Sequence, residues 1–522
     1  MGSTTNTPEN TTTDPIRAPA AGSGGVRGGL RKLAGASAVY GLGSVLVRGL
    51  TFVLLPVYTR YLDPAQYGIV SLTLTCTAVL GMLFPLGLRA AVSRSYFEGG
   101  SEGVQRERIG TIWTAMILFA AAFALVLDRA GPALAAVALP EVPFHPYLRF
   151  AVWTAFLGVL GLTPLALLQA EERARAYVAL SLWTALSTTA VTLWLVLRGG
   201  GARGYLLGVL LGAALAAMPY LTMTLRRVRP ALRMEVLRAA LAFSLPLVPH
   251  MLAGWVLEMS DRAILTRFLP LGEVGIYTLG YQLGAAVGLL TTAFNAAWVP
   301  FLFATLKSEA EGGHRKLTRL ATYYAVALVF VGLGWSLLVK YAVAFMVGPE
   351  FREAYRITPW VVGGYVFAGL YLIPTNLLFW QRQTRVIPLA TLAAGVVNVG
   401  LNVTLVPRYG AIAAAWSTLA AYAVLLIVTW RSAERLHPFP YEYRRVGTAA
   451  GLALGLYLVG VVVPFPSLTA EAAARFLLWL GFPLALAAAG VFDRTELAAL
   501  AGVVRRRLRL RGSQAGPRRK DS

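Results

Sequence analysis

An arginine at position 48 lies about twelve residues into the first long apolar stretch of the chain, which is about 18 Å along a helix. A cation at that depth of a membrane is costly and is expected to face protein or water rather than lipid. Its guanidinium fork suits a diphosphate, while the alternatives are a structural ion pair and a side chain that snorkels. Ser44 and Thr51 share its helical face. We therefore predict that Ser44, Arg48 and Thr51 line a cavity that attracts an anion.

A second polar face lies farther along the chain, where His250, Glu258 and Asp261 recur at helical spacing. We expect Glu258 either to balance Arg48 across the cavity or to take up a coupling cation, H⁺ or Na⁺. The alternative is that Glu258 lies at the membrane interface, where charges cost little. For Asp261 and the adjacent Arg262 we predict a structural or gating role. His250 is a candidate cavity residue whose alternative is a hydrogen-bonded core histidine.

Aromatic and amide side chains form a third group, which we predict to line the same cavity. Tyr281 and Asn295 share one helical face, and Asn398 and Asn402 stand four residues apart on a later helix. Such groups suit sugar binding, but they also hydrogen-bond neighbouring helices in lipid. No serine elbow, phosphate-binding loop or His/Cys metal spacing occurs. We therefore expect no catalytic residue, no cofactor, no metal and no enzyme activity.

The composition identifies the elements that must position these residues. Of the 522 residues 57% are hydrophobic and 14% charged, against roughly 25% charged in soluble proteins. The apolar runs have the length of membrane-spanning helices. We predict an all-α integral membrane protein with about fourteen spans: 36–58, 67–88, 109–127, 147–168, 177–197, 204–225, 239–260, 274–299, 320–346, 358–380, 387–406, 410–430, 446–464 and 472–491.

The positive charges indicate the orientation of the chain. With the N-terminus in the cytoplasm, the cytoplasmic segments hold 34 Lys and Arg and the outer loops hold 9. This asymmetry predicts that both termini are cytoplasmic. It also explains the net charge of +23 without a nucleic-acid partner. The single cysteine, Cys76, excludes a disulfide within the chain.

One segment of the chain occurs twice, at an offset of 207 residues. "TRYLDPAQYGIVSL" (59–72) and "TRFLPLGEVGIYTL" (266–279) are identical at six of fourteen positions. Each copy begins at the outer end of a helix, turns and enters the next helix, so the repeat is parallel. Gly68 and Gly275 are among the identities, and we assign them a structural or gating role in which Gly275 lets the two helices that flank its turn close on one another.

The repeat divides the chain into two six-helix lobes followed by two further helices. The predicted units are a disordered cytoplasmic tail (1–34), an N-lobe with helices 1–6 (35–232), a C-lobe with helices 7–12 (233–436), helices 13–14 (437–495) and a basic cytoplasmic tail (496–522).

Three stretches resemble one known family. "SDRAILTRFLPLGEVGIYTLGYQLG" (260–284) and "VNVGLNVTLVPRYGAIAAAWSTLAAY" (397–422) are similar to signature stretches of the polysaccharide-biosynthesis flippases, which belong to the multidrug/oligosaccharidyl-lipid/polysaccharide (MOP) exporter superfamily. "AVYGLGSVLVRGLTFVLLPVYTRYLDPAQYGIVSL" (38–72) resembles the N-terminal helix pair of that family. The resemblance covers roughly residues 35–495.

The resemblance implies the function. It implies a central cavity, and a polyprenyl-diphosphate-linked oligosaccharide that alternating access moves from the inner to the outer leaflet of a prokaryotic plasma membrane, for export of a surface polysaccharide. The expected partners are membrane lipids, the lipid-linked oligosaccharide, a polysaccharide polymerase and glycosyltransferases. Three alternatives stay open: a lipid II or multidrug exporter on the same fold, a membrane oligosaccharide polymerase or ligase, and a scaffold that does not transport.

Overall fold

The structure, a computed structural model, is α-helical over the residues that it describes. These are 41, 43, 46–47, 49–50, 52–308, 313–436, 438–493 and 496, without the side chains of His250 and His314. The helices are α1 (described over 52–61), α2 (Pro64–Leu83), α3 (Leu88–Phe97), α4 (Glu102–Ala138), α5 (Arg149–Val159), α6 (Leu162–Ala170), α7 (Ala174–Leu197), α8 (Gly201–Arg227), α9 (Met234–Ser244), α10 (Leu247–Leu265), α11 (Leu271–Ala285), α12 (Gly288–Ser308), α13 (Gly313–Met346), α14 (Thr358–Trp380), α15 (Val386–Tyr409), α16 (Ala411–Leu436), α17 (Tyr443–Val462) and α18 (Leu468–Ala488). A π-helical turn, Phe144–Leu148, precedes α5, and a 3-10 helix, Pro349–Arg356, precedes α14.

Thirteen stretches of the described chain are long and apolar enough to cross a membrane. They coincide with thirteen of the fourteen predicted spans, while ten of the 23 residues of the first, 36–58, lie outside the described residues. Three spans are made of two consecutive helices, and in α9–α10 the break falls at Pro246, which has no N–H to donate. The chain is thus an all-helical multi-pass membrane protein. Its orientation and its division into lobes remain predictions.

The two copies of the repeat meet inside the bundle. Helix α2 lies along α11, and α10 lies along α15. Two apolar clusters draw residues from both halves of the chain: Leu72 packs with Val274 and Tyr277 in one, and Val70 packs with Leu279 in the other. The last two helices, α17 and α18, pack on α13.

The segment between the two halves is docked on the first half. The backbone N–H of Arg229 donates to the carbonyl of Arg106, and a Cβ atom at Gly110 would lie 1.8 Å from the carbonyl oxygen of Arg229. Helix α9 then packs against α3 and α4. The segment 233–244, which the sequence assigns to the C-lobe, thus contacts two helices of the first half of the chain, and the division into lobes stays a prediction.

A carboxylate near the C-terminus connects three elements at one end of the bundle. Glu496 accepts a hydrogen bond from Tyr323 on α13 at 2.6 Å, and it lies 3.3 Å from Nη1 of Arg445 on α17. The backbone N–H of Asp493 donates to its second oxygen at 2.8 Å. The Glu496 side chain is buried. Through these three partners it holds α17 and the chain after α18 against α13.

We expect this contact to weaken in acid. Burial raises the pKa of Glu496, but the hydrogen bonds from Tyr323, Asp493 and Arg445 outweigh burial and hold the pKa below its ordinary value of 4.5. A folded-state pKa below the unfolded one stabilises the fold fully above about pH 4.5, and this contribution falls as the pH drops through the lowered pKa. Glu496→Gln should therefore flatten the dependence of the melting temperature on pH between about 3 and 5. The exposed Glu350→Gln serves as the control; an equal flattening there would contradict the prediction.

Candidate functional site

The two repeat copies contact each other through the first turns of α2 and α11. A Cβ atom at Gly68 would lie 2.3 Å from the carbonyl oxygen of Leu271, and one at Gly275 would lie 2.0 Å from that of Pro64. Pro64 and Leu271, like the two glycines, are 207 residues apart. Each glycine therefore contacts the first residue of the helix in the other copy, at a distance that any residue with a Cβ atom would prevent.

Hydroxyl groups continue this contact one turn deeper. Ser71 Oγ lies 2.9 Å from Thr278 Oγ1, and these residues are again 207 apart. Both are buried. We call the contact of Pro64, Gly68 and Ser71 with Leu271, Gly275 and Thr278 the repeat seam. It closes the bundle at the end where α2 and α11 begin, which is the predicted outer face.

The seam changes one prediction from sequence. Gly275 was expected to let the helices that flank its turn, α10 and α11, close on one another. Its close contact is instead with Pro64 in the other copy, because Gly275 faces α2. The backbone of Pro270, the residue before α11, is extended. The start of α2 is capped: the Asp63 carboxylate accepts from the backbone N–H of Gln66 at 2.8 Å, and Pro64 is the first helical residue.

Gly68→Ala and Gly275→Ala should each open the seam. The added methyl group meets backbone oxygen, which cannot rotate away, so we expect a penalty of about 1–3 kcal/mol on the closed form. The measurement is labelling of Ser71→Cys by a membrane-impermeant maleimide, in a Cys76→Ala background, which should accelerate. Gly272→Ala is the matched control, since its Cβ would be 3.8 Å from the nearest atom, on Pro64. Equal labelling in all three variants would contradict the expectation.

A buried ion pair lies beside the seam on α10. Asp261 and Arg262 are 2% and 4% exposed, and Nη1 of Arg262 donates to Oδ1 of Asp261 at 2.9 Å. The Tyr277 hydroxyl donates to the other carboxylate oxygen. The same guanidinium nitrogen donates to the backbone carbonyl of Glu258 at 3.1 Å. The predicted structural or gating pair is thus a neutral, hydrogen-bonded unit that joins α10 to α11.

Tyrosine rings cover the arginine. The guanidinium of Arg262 lies 4.4 Å from the ring centroid of Tyr281, a cation–π contact. The Tyr281 ring lies 6.2 Å from that of Tyr365 on α14, which in turn lies 5.9 Å from that of Tyr422 on α16. Tyr281, predicted to line a cavity, is therefore part of an aromatic row, in which Tyr281 and Tyr422 are buried and Tyr365 is half-buried, that links the ion pair to three other helices.

Glu258 differs from this pair because it is exposed, although it stands in the same membrane-spanning segment. It is one turn before Arg262 and so adjoins the buried cluster. Its proposed partner, Arg48, lies outside the described residues, together with Ser44, Thr51 and the side chain of His250. The structure therefore leaves the balance between Glu258 and Arg48 as a prediction.

The three asparagines that were predicted to line the cavity lie at two separate places, and at each place they make contacts between helices. Asn398 and Asn402 are completely buried, and Nδ2 of Asn402 donates to the Asn398 carbonyl at 2.9 Å. Ser260 Oγ lies 3.5 Å from Oδ1 of Asn398, so these amides connect α15 to α10. Asn295 accepts from Asn376 at 2.8 Å, which connects α12 to α14. These contacts favour the helix-packing alternative that the sequence had left open.

Several residues of the site were not predicted from the sequence. Ser71 and Thr278 carried a usable signal, since they occupy the offset of 207 with chemically equivalent hydroxyls. Tyr365 and Tyr422 carried none, because aromatic residues are common in apolar helices. The assembled site has two parts: a seam that closes one end, and a buried polar cluster next to an exposed acid.

The chain is similar to proteins of known class. The family described as Polysaccharide biosynthesis protein matches residues 34–306. Probable low-salt glycan biosynthesis flippase Agl15 of Haloferax volcanii is 21% identical over 436 residues, which cover 82% of this chain and 88% of the relative. An uncharacterised membrane protein of Haemophilus influenzae is 21% identical over 375 residues, covering 70% and 88%.

Two solved structures share the fold. Lipid II flippase MurJ, in an inward closed conformation, superposes with a TM-score of 0.69 at 11% identity, covering 85% of this chain and 98% of that one. An inward-facing multidrug resistance transporter of the MATE family in the MOP superfamily gives 0.54 at 14% identity, covering 74% and 95%. At these identities the comparison bears on the fold alone.

Proposed function

The chain belongs to the polysaccharide biosynthesis protein family within the MOP superfamily, and from this membership we propose that it is a flippase. Its proposed substrate is a polyprenyl-diphosphate-linked oligosaccharide, moved from the inner to the outer leaflet of a prokaryotic plasma membrane for export of a surface polysaccharide. The relative Agl15, described as a probable glycan biosynthesis flippase and aligned over most of both chains, supports this substrate class.

The repeat seam is the observation that carries a transport mechanism. It joins the two halves at one end by glycine contacts and a single pair of hydroxyls, and it contains no ion pair or disulfide among its six residues. All of its contacts are non-covalent, as are the Tyr67–Gln282 hydrogen bond and the two apolar clusters that α2 and α11 also share, and these must part together when the seam opens. We propose alternating access in which the seam closes the outer face while substrate enters from the inner leaflet, and opens to release it.

The binding residues extend the proposal. Arg48 would attract the diphosphate, with Ser44 and Thr51 on its face, and the exposed Glu258 would balance Arg48 or take up H⁺ or Na⁺ as the coupling ion. Asn295, Asn398 and Asn402 would act through helix packing around the cavity, while His250 stays a candidate cavity residue. No catalytic residue is proposed, and lipid-linked sugar, membrane lipids, a polymerase and glycosyltransferases are the proposed partners.

Deletion of the gene, followed by analysis of lipid-linked sugars in each leaflet, tests the function. We expect the sugar to accumulate on the cytoplasmic leaflet, and restoration by the wild-type chain. Arg48→Ala should fail to restore transport at normal protein levels, whereas Arg356→Gln, which changes an exposed side chain at the end of the 3-10 helix, should restore it. An unchanged leaflet distribution after deletion would overturn the proposal, and full rescue by Arg48→Ala would remove that residue from the site.

The rival transporters share this fold, since lipid II and multidrug carriers superpose on it. The same experiment separates them. Deletion of a lipid II exporter should cause lipid II to accumulate, whereas deletion of a multidrug exporter should cause no lipid-linked sugar to accumulate. A polymerase or ligase would leave the leaflet distribution unchanged and shorten the polysaccharide. A scaffold would tolerate Arg48→Ala.

A further inference from the structure

Two cations share one carboxylate between α13 and α18. Nζ of Lys340 lies 2.8 Å from both oxygens of Glu471, and Nη2 of Arg475 lies 2.6 Å from one of them. Nε of Arg475 also donates to the carbonyl of Gly460 on α17, at 3.0 Å. We call Lys340, Glu471 and Arg475 the triad. It fastens the last two helices to α13.

The triad has a net charge of +1. Within the part of the chain that the structure describes, neither Lys340 nor Arg475 has a second carboxylate within 4.0 Å. The side chain of Arg475 is 11% exposed and that of Lys340 is 31% exposed, so the excess charge is only partly open to its surroundings. An ion cluster that served only to hold helices together would be expected to balance its charges, because an uncompensated charge within a membrane is costly.

The triad lies near one face of the membrane. Lys340 stands six residues before the end of α13 and Arg475 seven residues after the start of α18, so they are about 9 and 10.5 Å from those helix ends. This is the end that the repeat seam closes, since the backbone N–H of Gly348, just after α13, lies 3.4 Å from Oγ1 of Thr59, just before α2. Long basic side chains at this depth reach the headgroup layer.

The chemistry of the excess charge specifies its ligand. A phosphate with one negative charge would neutralise the triad, and it would find donors on both cations: guanidinium N–H groups that Glu471 and Gly460 leave unused, and the partly exposed ammonium. Basic pockets between transmembrane helices on the cytoplasmic side bind anionic lipid headgroups, and the same chemistry applies to a basic pocket at the other face. We propose that the triad binds the phosphate group of a lipid at the face of the membrane where α13 ends. The triad shares no residue with the proposed substrate site, and the proposal does not depend on which molecule the protein transports.

The charge count gives a test with opposite outcomes for two variants. Lys340→Met leaves the neutral Glu471–Arg475 pair and should weaken binding of phosphatidylglycerol about tenfold. Glu471→Gln leaves two cations and should bind it at least as tightly as the wild type. The measurement is titration of the full-length protein, purified in neutral detergent, with phosphatidylglycerol by native mass spectrometry. Arg356→Gln, a basic residue at the same end of α13, is the matched control and should bind like the wild type.

The probes distinguish the source of the phosphate. Diacylglycerol, which has no phosphate, should show no difference between variants. If undecaprenyl diphosphate, but not phosphatidylglycerol, responds to Lys340→Met, the triad holds the phosphate of a polyprenyl carrier; if phosphatidylglycerol responds, it holds a membrane phospholipid. Equal binding of both lipids by the wild type and Lys340→Met overturns the site, as does an equal loss of binding in Lys340→Met and Glu471→Gln. Should Lys340→Met fail to fold, Glu471→Gln decides alone, because weaker binding than wild type contradicts the charge count.

Discussion

Arg262→Met should lower the free energy of unfolding by about 3–5 kcal/mol, because it leaves the buried Asp261 carboxylate without its cation. The remaining partners, the Tyr277 hydroxyl and one backbone N–H, do not neutralise the charge. Thermal unfolding of the protein in detergent measures the loss. The same change removes the cation from the face of Tyr281, so the row of rings that joins α11 to α14 and α16 should loosen with it.

Two controls show whether burial is the cause. The double variant Asp261→Asn/Arg262→Met removes both charges and should regain most of the stability, since no uncompensated charge remains. Arg356→Met breaks an exposed pair with Glu353 and should cost less than about 1 kcal/mol. If Arg262→Met lowered the free energy of unfolding as little as Arg356→Met, the Asp261–Arg262 pair would not be a buried pair in which each charge neutralises the other.

A cross-link across the repeat seam should stop transport completely and reversibly. Cysteines at Ser71 and Thr278, in a Cys76→Ala background, would replace hydroxyl oxygens that lie 2.9 Å apart, which suits a disulfide. A locked seam cannot open, so the lipid-linked sugar should accumulate on the cytoplasmic leaflet under mild oxidant and be released after reduction. Leaflet-resolved analysis of the sugar and a mobility shift on a gel measure the two effects.

The single-cysteine variants separate the cross-link from the substitutions. Ser71→Cys and Thr278→Cys alone should transport with or without oxidant. Complete disulfide formation together with normal transport would show that the seam does not need to separate, and it would remove the seam from the transport cycle while leaving the family assignment intact.

The sequence was sufficient for the spans because their physical signal is strong. An apolar run of about twenty residues has few alternatives to a membrane helix, and thirteen such runs recur in the structure. Breaks within runs were harder to predict, as at α11–α12, where apolar composition continues from Leu271 to Ser308 while the helix is interrupted after Ala285. Apolar content determines membrane insertion, whereas such a break depends on packing.

The site was predicted only where its residues are unusual for a membrane. Asp261 and Arg262 were visible as charges, yet their pairing with each other could not be read from adjacent positions, since neighbours on a helix ordinarily face different directions. The repeat indicated two equivalent turns but not that they touch. That contact depends on how two helices two hundred residues apart approach, which no local pattern encodes. α9 shows the same limit, because no local pattern predicts its contacts with α3 and α4.

The reciprocal geometry of the seam has a consequence for the origin of the molecule. Gly68 receives Leu271 as Gly275 receives Pro64, so the contact has the self-complementary form of a two-fold symmetric dimer, although it lies within one chain. A half-length ancestor carrying one copy would be expected to assemble as a homodimer through this surface. Gene fusion would then have turned a concentration-dependent association into an intramolecular one. It would also have freed the two copies to diverge, as Asp63 and Pro270 have done beside glycines that stayed the same.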